Sequence, residues 1–435
     1  MNTKYIILFS FLWLNTVLYA QRKDKPQLVV YGQGEVAFGA AVQSAKSGVQ
    51  TLWVNPQGSF ESELTQGADI KKVTSYQSLD GGLWGEFLKA TINASHYTDS
   101  VFNRAKRHLN PRVSMNAFEK IIDSTQNLTI LYNSSIEEVK RSRKNWTIDL
   151  SNGSSYKVFA VVDASKDAEL IPLIELEEKI KDRALHSSLI GTDDIYESTA
   201  YKTSLMIDDR GENESLIPSS IIITPYAKNL FIVFDPDRSA PSLGSSIEDV
   251  PRFLLFGQAM GAAAGYCAFF ETDYDKINIR TLQGELLAFK AQLIPFHDIA
   301  FEDVHNTHIQ HIGLSGILEG VANAEGKFIF NAEGFVSTKE IEAVMRSIYT
   351  RSQIWFNQHS SDQLKVKEVI DLIKFIALKG DEIDRAIENG WNTRFKFSGS
   401  FDSETPINRR QFAVLVDTYL QPFTVKVNKE GKFVY

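Results

Sequence analysis

A glycine-punctuated turn between two apolar strands constrains this chain more than any other feature. The run "QLVVYG", residues 27 to 32, reads as a short buried strand, and it leads into Gly32-Gln33-Gly34-Glu35-Val36-Ala37. Those six residues fit the spacing G-x-G-x-x-G/A. Glycine at the first position permits a tight turn, and at the second it lets a pyrophosphate come close to the backbone. A small third residue lets helix and strand pack closely. Residues 35 to 47 have helix composition and stop at Gly48, and "VQTLWVN" then reads as a second strand. Strand, turn, helix and strand within about thirty residues predict a right-handed βαβ unit with parallel strands. The helix N-terminus would turn free N–H groups and a positive dipole end toward phosphates. In a dinucleotide site the second strand normally ends in an acidic residue that accepts from the ribose hydroxyls. Here it ends at Asn55, whose amide oxygen is a neutral and weaker acceptor.

The rest of the chain supplies more of the same punctuation. Residues 81 to 122 read mostly as helix, followed by the strands "LTILYN", "SIEEVKRS", "NWTIDLS" and "YKVFAVVDAS". The basic run Lys140-Arg141-Ser142-Arg143-Lys144 lies between two of these strands and reads as a solvated hairpin turn. Residues 170 to 225 are mixed and polar. "NLFIVFD" is a further strand, and it precedes the helix "RFLLFGQAMGAAAGYCAFF". From about residue 301 helical stretches dominate, which places a boundary near 295 to 300 at "IPFHDIA".

With 435 residues the chain has room for two or three domains, and its net charge of -8 argues against a nucleic-acid partner, which needs clustered cations. At the N-terminus, Lys4 is followed by an apolar run from about Tyr5 to Leu18 and then Ala20. This pattern predicts a signal peptide over residues 1 to 20 and export to the periplasm or cell surface. No later segment is long and apolar enough to cross a membrane. The single cysteine, Cys267, sits in an apolar run and reads as core. His305, His308 and His311 share a helical spacing, but no carboxylate or cysteine completes a metal set with them. They read as a polar helix face, and no metal site is expected.

Four stretches together resemble the exported FAD-dependent oxidoreductases of the glutathione-reductase-like class, in a branch common in Bacteroidetes-type bacteria. They are the glycine turn, "GGLWGEFLKA" at 81 to 90, "VFAVVDASKDAELIPL" at 158 to 173 and "FGQAMGAAAGYCAFF" at 256 to 270. The third is similar to a family strand ending D-A-T-G-D, here Asp163-Ala164-Ser165-Lys166-Asp167. The fourth is similar to a G-Q-A-A-G helix whose N-terminus lies under the flavin ring, through Gly257, Gln258 and Gly261. The resemblance implies an α/β, Rossmann-like FAD/NAD(P)-binding domain over residues 21 to 298. It also implies a shortened substrate region at 170 to 225 and a mainly helical C-terminal domain over 299 to 435. It implies FAD as cofactor. Gly32, Gln33, Gly34 and Ala37 would lie at the pyrophosphate and Asn55 at the ribose. Asp167, Asp235, Gly257, Gln258 and Gly261 would lie near the remaining flavin contacts.

The chain departs from the family at Phe234-Asp235-Pro236, where a glycine turn is usual, and at Gly244-Ser245-Ser246-Ile247-Glu248, where an arginine is usual. The glycine pair expected after the second strand appears as Gln57-Gly58. Residues 301 to 345 are similar to an S-layer-homology-like module, with a looser second copy over 365 to 423, and such tails can bind cell-wall polymers or surface glycans. Two readings follow: a flavin oxidoreductase acting on a small molecule or carbohydrate, or a non-catalytic surface or binding protein that keeps the fold with a degenerate cofactor site. No residue is assigned a catalytic role.

Overall fold

Alternation of side chains along the first strand sets the layers of the molecule. In the computed structural model, which describes residues 25–435 apart from 75, 95, 175–188, 212, 224–225 and 234–245, β1 (Leu28–Tyr31) is buried on both faces. It is the middle strand of a parallel sheet formed with β2 (Thr51–Val54), β3 (Leu128–Leu131), β7 (Ala160–Asp163) and β11 (Leu230–Ile232), in the order β11-β7-β1-β2-β3. Tyr31 lies opposite Val54 on one side and Asp163 on the other, and Ile232 lies opposite Asp163. The carboxyl ends of four strands therefore form one edge.

Leu28, Val30, Trp53, Ala160 and Val162 face a helical layer. The intervening Val29, Tyr31, Leu52, Val54 and Val161 face an antiparallel meander, β4 (Ile136–Ser142), β5 (Asn145–Leu150) and β6 (Ser155–Val158). A period of two in the sequence thus becomes two separate cores. The basic run 140 to 144 lies at the β4–β5 turn, with Arg143 and Lys144 exposed and Arg143 at φ +42°. Residues 190 to 218 contribute a small antiparallel sheet of β8 (Ile190–Gly191), β9 (Ser204–Asp209) and β10 (Glu214–Pro218).

The helical layer is built on α1 (Gly34–Lys46), with α2 (Gly82–Thr91), α3 (Asp99–Lys106), α4 (Pro111–Ser124) and α5 (Val250–Phe269). Helices α1 and α5 touch backbone to backbone. A Cβ added at Gly261 would lie 2.7 Å from Ala40 Cα, and one at Gly257 would lie 3.0 Å from the Val36 carbonyl carbon. Gln258 sits in the same contact, 1% exposed. Its Nε2 donates to Gln43 Oε1 on α1 at 2.9 Å, and its Oε1 accepts from Leu83 N–H on α2 at 3.0 Å. One side chain thereby locks three helices. Cys267 is buried in α5, and burial pushes its thiol far above the ordinary cysteine range.

Helix α6 (Ile279–Ala288) follows α5, and the C-terminal region is mainly helical: α7 (Asn306–Ser315), α8 (Thr338–Ile348), α9 (Val366–Ala377), α10 (Glu382–Gly390) and α11 (Arg409–Leu420). At the start of helix α8, Ser337 Oγ accepts from Glu340 N–H at 3.2 Å. Apolar packing runs across residues 295 to 300: Phe296 stacks on Phe328 and Phe301 on Phe102. Arg280, 4% exposed, donates to the Lys202, Leu314 and Val425 carbonyls and so ties α6 to both regions. Among the described residues no helix is long and apolar enough to cross a membrane. The signal peptide expected over 1 to 20 lies outside the described residues.

The α1–α5 contact leaves no room for a methyl group. Gly261→Ala is expected to destabilise the protein by about 2 kcal/mol or more, because backbone rather than a flexible side chain blocks the new atom. Thermal unfolding followed by calorimetry measures the loss, and an unchanged Tm would mean that the helices are not in contact.

Candidate functional site at the carboxyl edge of the parallel sheet

The chain leaves β1 through Gly32 at φ +128°, a backbone conformation that side chains rarely adopt. A Cβ there would lie 2.7 Å from the Ala164 carbonyl carbon and 2.8 Å from Ser165 N. Gly32 N–H donates to Val54 O, and Trp53 Nε1 donates to Gly32 O at 2.9 Å, so the turn is fixed to β2. Gln33 follows as the exposed N-cap residue of α1 and gives no side-chain cap. Gly34, at φ +76°, has no atom within 4 Å of its Cβ position, while Ala37 is fully buried against the sheet. The first turn of α1 therefore offers backbone N–H groups beside an open glycine, the arrangement that receives a phosphate.

Asn55 ends β2 with no exposed surface. Its Oδ1 accepts from Gln57 N–H at 2.9 Å, which fixes the amide orientation and makes Nδ2 the free end. That Nδ2 is buried without a hydrogen-bond partner among the described residues. An orphaned buried donor costs about 1–3 kcal/mol, so a ligand acceptor placed there gains that much. By residue type alone Asn55 is a weak acceptor. The structure makes it a donor, toward which a ribose hydroxyl would present its oxygen.

Glu35 is the residue that the sequence reading passed over. It stands one position into α1 and is 8% exposed, with its carboxylate accepting from Ser62 Oγ at 2.6 Å and Glu63 N–H at 3.1 Å. Burial pushes its carboxyl above the ordinary glutamate range, against the pull of those two donors. The loop after β2 covers it: Phe60 packs on Phe38, Trp53 and Phe118, and Leu64 is fully buried. An acidic side chain at a helix N-terminus is favoured by the dipole, by about 0.3–1 kcal/mol, and repels a second anion at the same end. An acid one residue after the second glycine was visible in the sequence. Its burial depends on Ser62 and Glu63, more than twenty-five positions away.

The other predicted residues do not all gather at this edge. Asp167 is exposed, in the turn two residues past Ser165, which borders Gly32. The buried acid of that segment is Asp163, which accepts from Ser165 N–H and Oγ and from Leu170 N–H; burial raises its carboxyl to about 6 against those bonds. Asp235 lies outside the described residues, as does Gly244. Gly257, Gln258 and Gly261 were expected near a helix N-terminus. The structure places them in the middle of α5, which begins at Val250, and in contact with α1. Small residues four apart on a helix serve helix–helix packing as readily as a cofactor, and here they meet a neighbouring backbone. His308 and His311, expected on a plain polar face, both bond Asp417, a partner more than a hundred positions away. Among the described residues no group of His, Cys, Asp and Glu is placed to hold a metal ion.

The buried Glu35 gives a pH test. A carboxyl whose folded-state pKa is raised contributes stability that is present below its unfolded value and lost as pH rises through the folded one. Glu35→Gln removes that loss. The Tm of the variant minus that of the unaltered protein is expected to grow as pH rises above the ordinary glutamate range, read by circular dichroism. A constant difference across this range would show that Glu35 ionises as freely in the fold as in the unfolded chain.

Residues 27–186 match the family model described as FAD dependent oxidoreductase, a segment shorter than half of the chain. No curated protein matches the chain. Among solved structures, bacillithiol disulfide reductase Bdr (YpdA) from Staphylococcus aureus is similar at 12% identity, covering 33% of this chain and 38% of that one, with a TM-score of 0.24. GidA from Aquifex aeolicus is similar at 18% identity over 32% and 25% of the two chains, and OTEMO in complex with FAD and NADP at 12% over 33% and 26%, each with a TM-score of 0.24. The chain thus spans well under half the length of these neighbours. The family that its N-terminal segment matches is that of the FAD-dependent oxidoreductases, whose cofactor is FAD.

Proposed function

We propose that the protein is an exported FAD-dependent oxidoreductase acting on a small molecule or carbohydrate at the periplasm or cell surface. One observation carries the reading: the open turn at Gly32 to Gly34 leads into an uncapped helix and stands at the same sheet edge as the unpaired buried Nδ2 of Asn55. These residues fit the adenosine-diphosphate half of the group. The first-turn N–H groups of α1 would receive the pyrophosphate, and Asn55 Nδ2 would donate to a ribose hydroxyl. Bound FAD would supply the electron transfer, with the protein supplying position and electrostatics. The tail would hold the enzyme to cell-wall polymer, a role supported by the similarity of residues 301 to 345 to surface-binding modules.

The second reading, a binding protein that keeps the fold without the flavin, is favoured by Glu35. Its carboxylate already occupies the helix N-terminus and is held there by Ser62 and Glu63. The two readings separate on the absorbance of purified residues 21 to 435, before and after denaturation, with and without added FAD. The flavin reading expects a flavin spectrum at near-stoichiometric content. It also expects Asn55→Ala to weaken FAD binding about tenfold, and Glu35→Gln to strengthen it by removing a like charge. A chain that stays colourless after FAD addition and gel filtration would overturn the flavin reading.

A further inference from the structure

The C-terminal region contains a cavity of about 570 Å³ between α7, the segment after α10, and α11. That volume is in the range of small-molecule sites. Its back wall is Asp417 on α11, 8% exposed, whose Oδ2 accepts from His308 Nδ1 at 2.6 Å and His311 Nδ1 at 2.9 Å. His311 is further clamped by stacking on Phe423, with ring centroids 4.1 Å apart and 12° between planes. Both imidazoles are thus oriented by their Nδ1 atoms. The opposite ring nitrogen of each has no hydrogen-bond partner among the described residues.

The mouth of the cavity is cationic. Arg394 and Lys396 line it, and neither pairs with a carboxylate among the described residues, although most lysines and arginines of the neighbouring helices do. Arg394 is held over the rings of Phe395 and Tyr419, at 5.2 and 5.8 Å, so its guanidinium is pre-positioned. Thr418 and Gln421 add neutral donors. The one acid of the cavity, Asp417, is screened behind its two histidines, and their hydrogen bonds hold its carboxyl below the ordinary aspartate range against the effect of burial.

We propose that this cavity is a binding site for a small ligand bearing an oxyanion, a phosphate or a carboxylate, on a body about the size of a sugar. Arg394 and Lys396 contact the charged group, and His308 and His311, positioned by Asp417, contact the remainder. The inference stands apart from flavin binding. It extends the reading of the tail as a wall-binding region, which is tested separately by co-sedimentation of the full chain with purified peptidoglycan; failure there leaves the cavity proposal standing.

The test is calorimetric titration of the full mature chain with glucose 6-phosphate, glucuronate and glucose. Saturable one-to-one binding of at least one charged probe is expected, about tenfold or more tighter than glucose, as a charge-assisted hydrogen bond dictates. Binding of glucose 6-phosphate alone assigns a phosphate ligand, and binding of glucuronate alone assigns a carboxylate. Lys396→Gln changes an exposed side chain without a described partner and so leaves the fold intact; it is expected to weaken the charged probe about tenfold, as is Arg394→Gln. No binding of either charged probe, equal binding of glucose, or binding unchanged in both variants overturns the proposal.

Discussion

The backbone contact between α1 and α5 is the interaction on which the rest of the structure depends. Helix α1 carries the turn from β1, and its N-terminus is the feature at the sheet edge that could receive a phosphate. Its position is set by Gly257 and Gly261, which let two helix backbones meet, and by Gln258, which bonds α1 and α2 at once. A buried amide with both ends satisfied specifies one alignment of three helices, because any slip would leave it unpaired in an apolar layer. The residues that resemble a flavin-binding helix also hold three helices of the frame together.

At the sheet edge two opposed pieces of electrostatics share a few ångströms of backbone. The helix N-terminus and the donor at Asn55 favour an anionic, hydroxyl-rich ligand. Glu35 satisfies the same positive end internally, and the aromatic packing of Phe60 on Phe38 and Phe118 keeps the covering loop in place. Burial makes that carboxylate costly when ionised, so its protonation state and the affinity of the edge for phosphate are coupled through one charge.

The tail is joined to the α/β region by specific polar contacts as well as by apolar surface. Arg280 reaches the carbonyls of Lys202, Leu314 and Val425, and its guanidinium lies over Phe423, the ring on which His311 stacks. The geometry of the histidine and aspartate cluster therefore depends on a residue of the preceding region. Cooperative unfolding of the two regions is the natural consequence of such shared contacts.

Much of the α/β frame was legible in the sequence because it rests on local rules. The short apolar runs in "QLVVYG" and "VQTLWVN", the glycines at 32 and 34 and the small Ala37 point to a parallel βαβ unit, and Asn55 at a strand end marks where a ribose ligand would be. The helices of the tail were legible for the same reason, as helical stretches that dominate from about residue 301. Only the tertiary structure decided which atom of Asn55 is free, since that depends on Gln57 N–H taking the other. It alone buried the Glu35 side chain, set Gly257 and Gly261 against the backbone of α1 and brought Asp417 to His308 and His311. Each of these outcomes is a contact between residues distant in sequence or a choice between two equally local alternatives. A one-dimensional pattern carries the period of an element, whereas the burial and pairing of a polar atom are set by what packs against it.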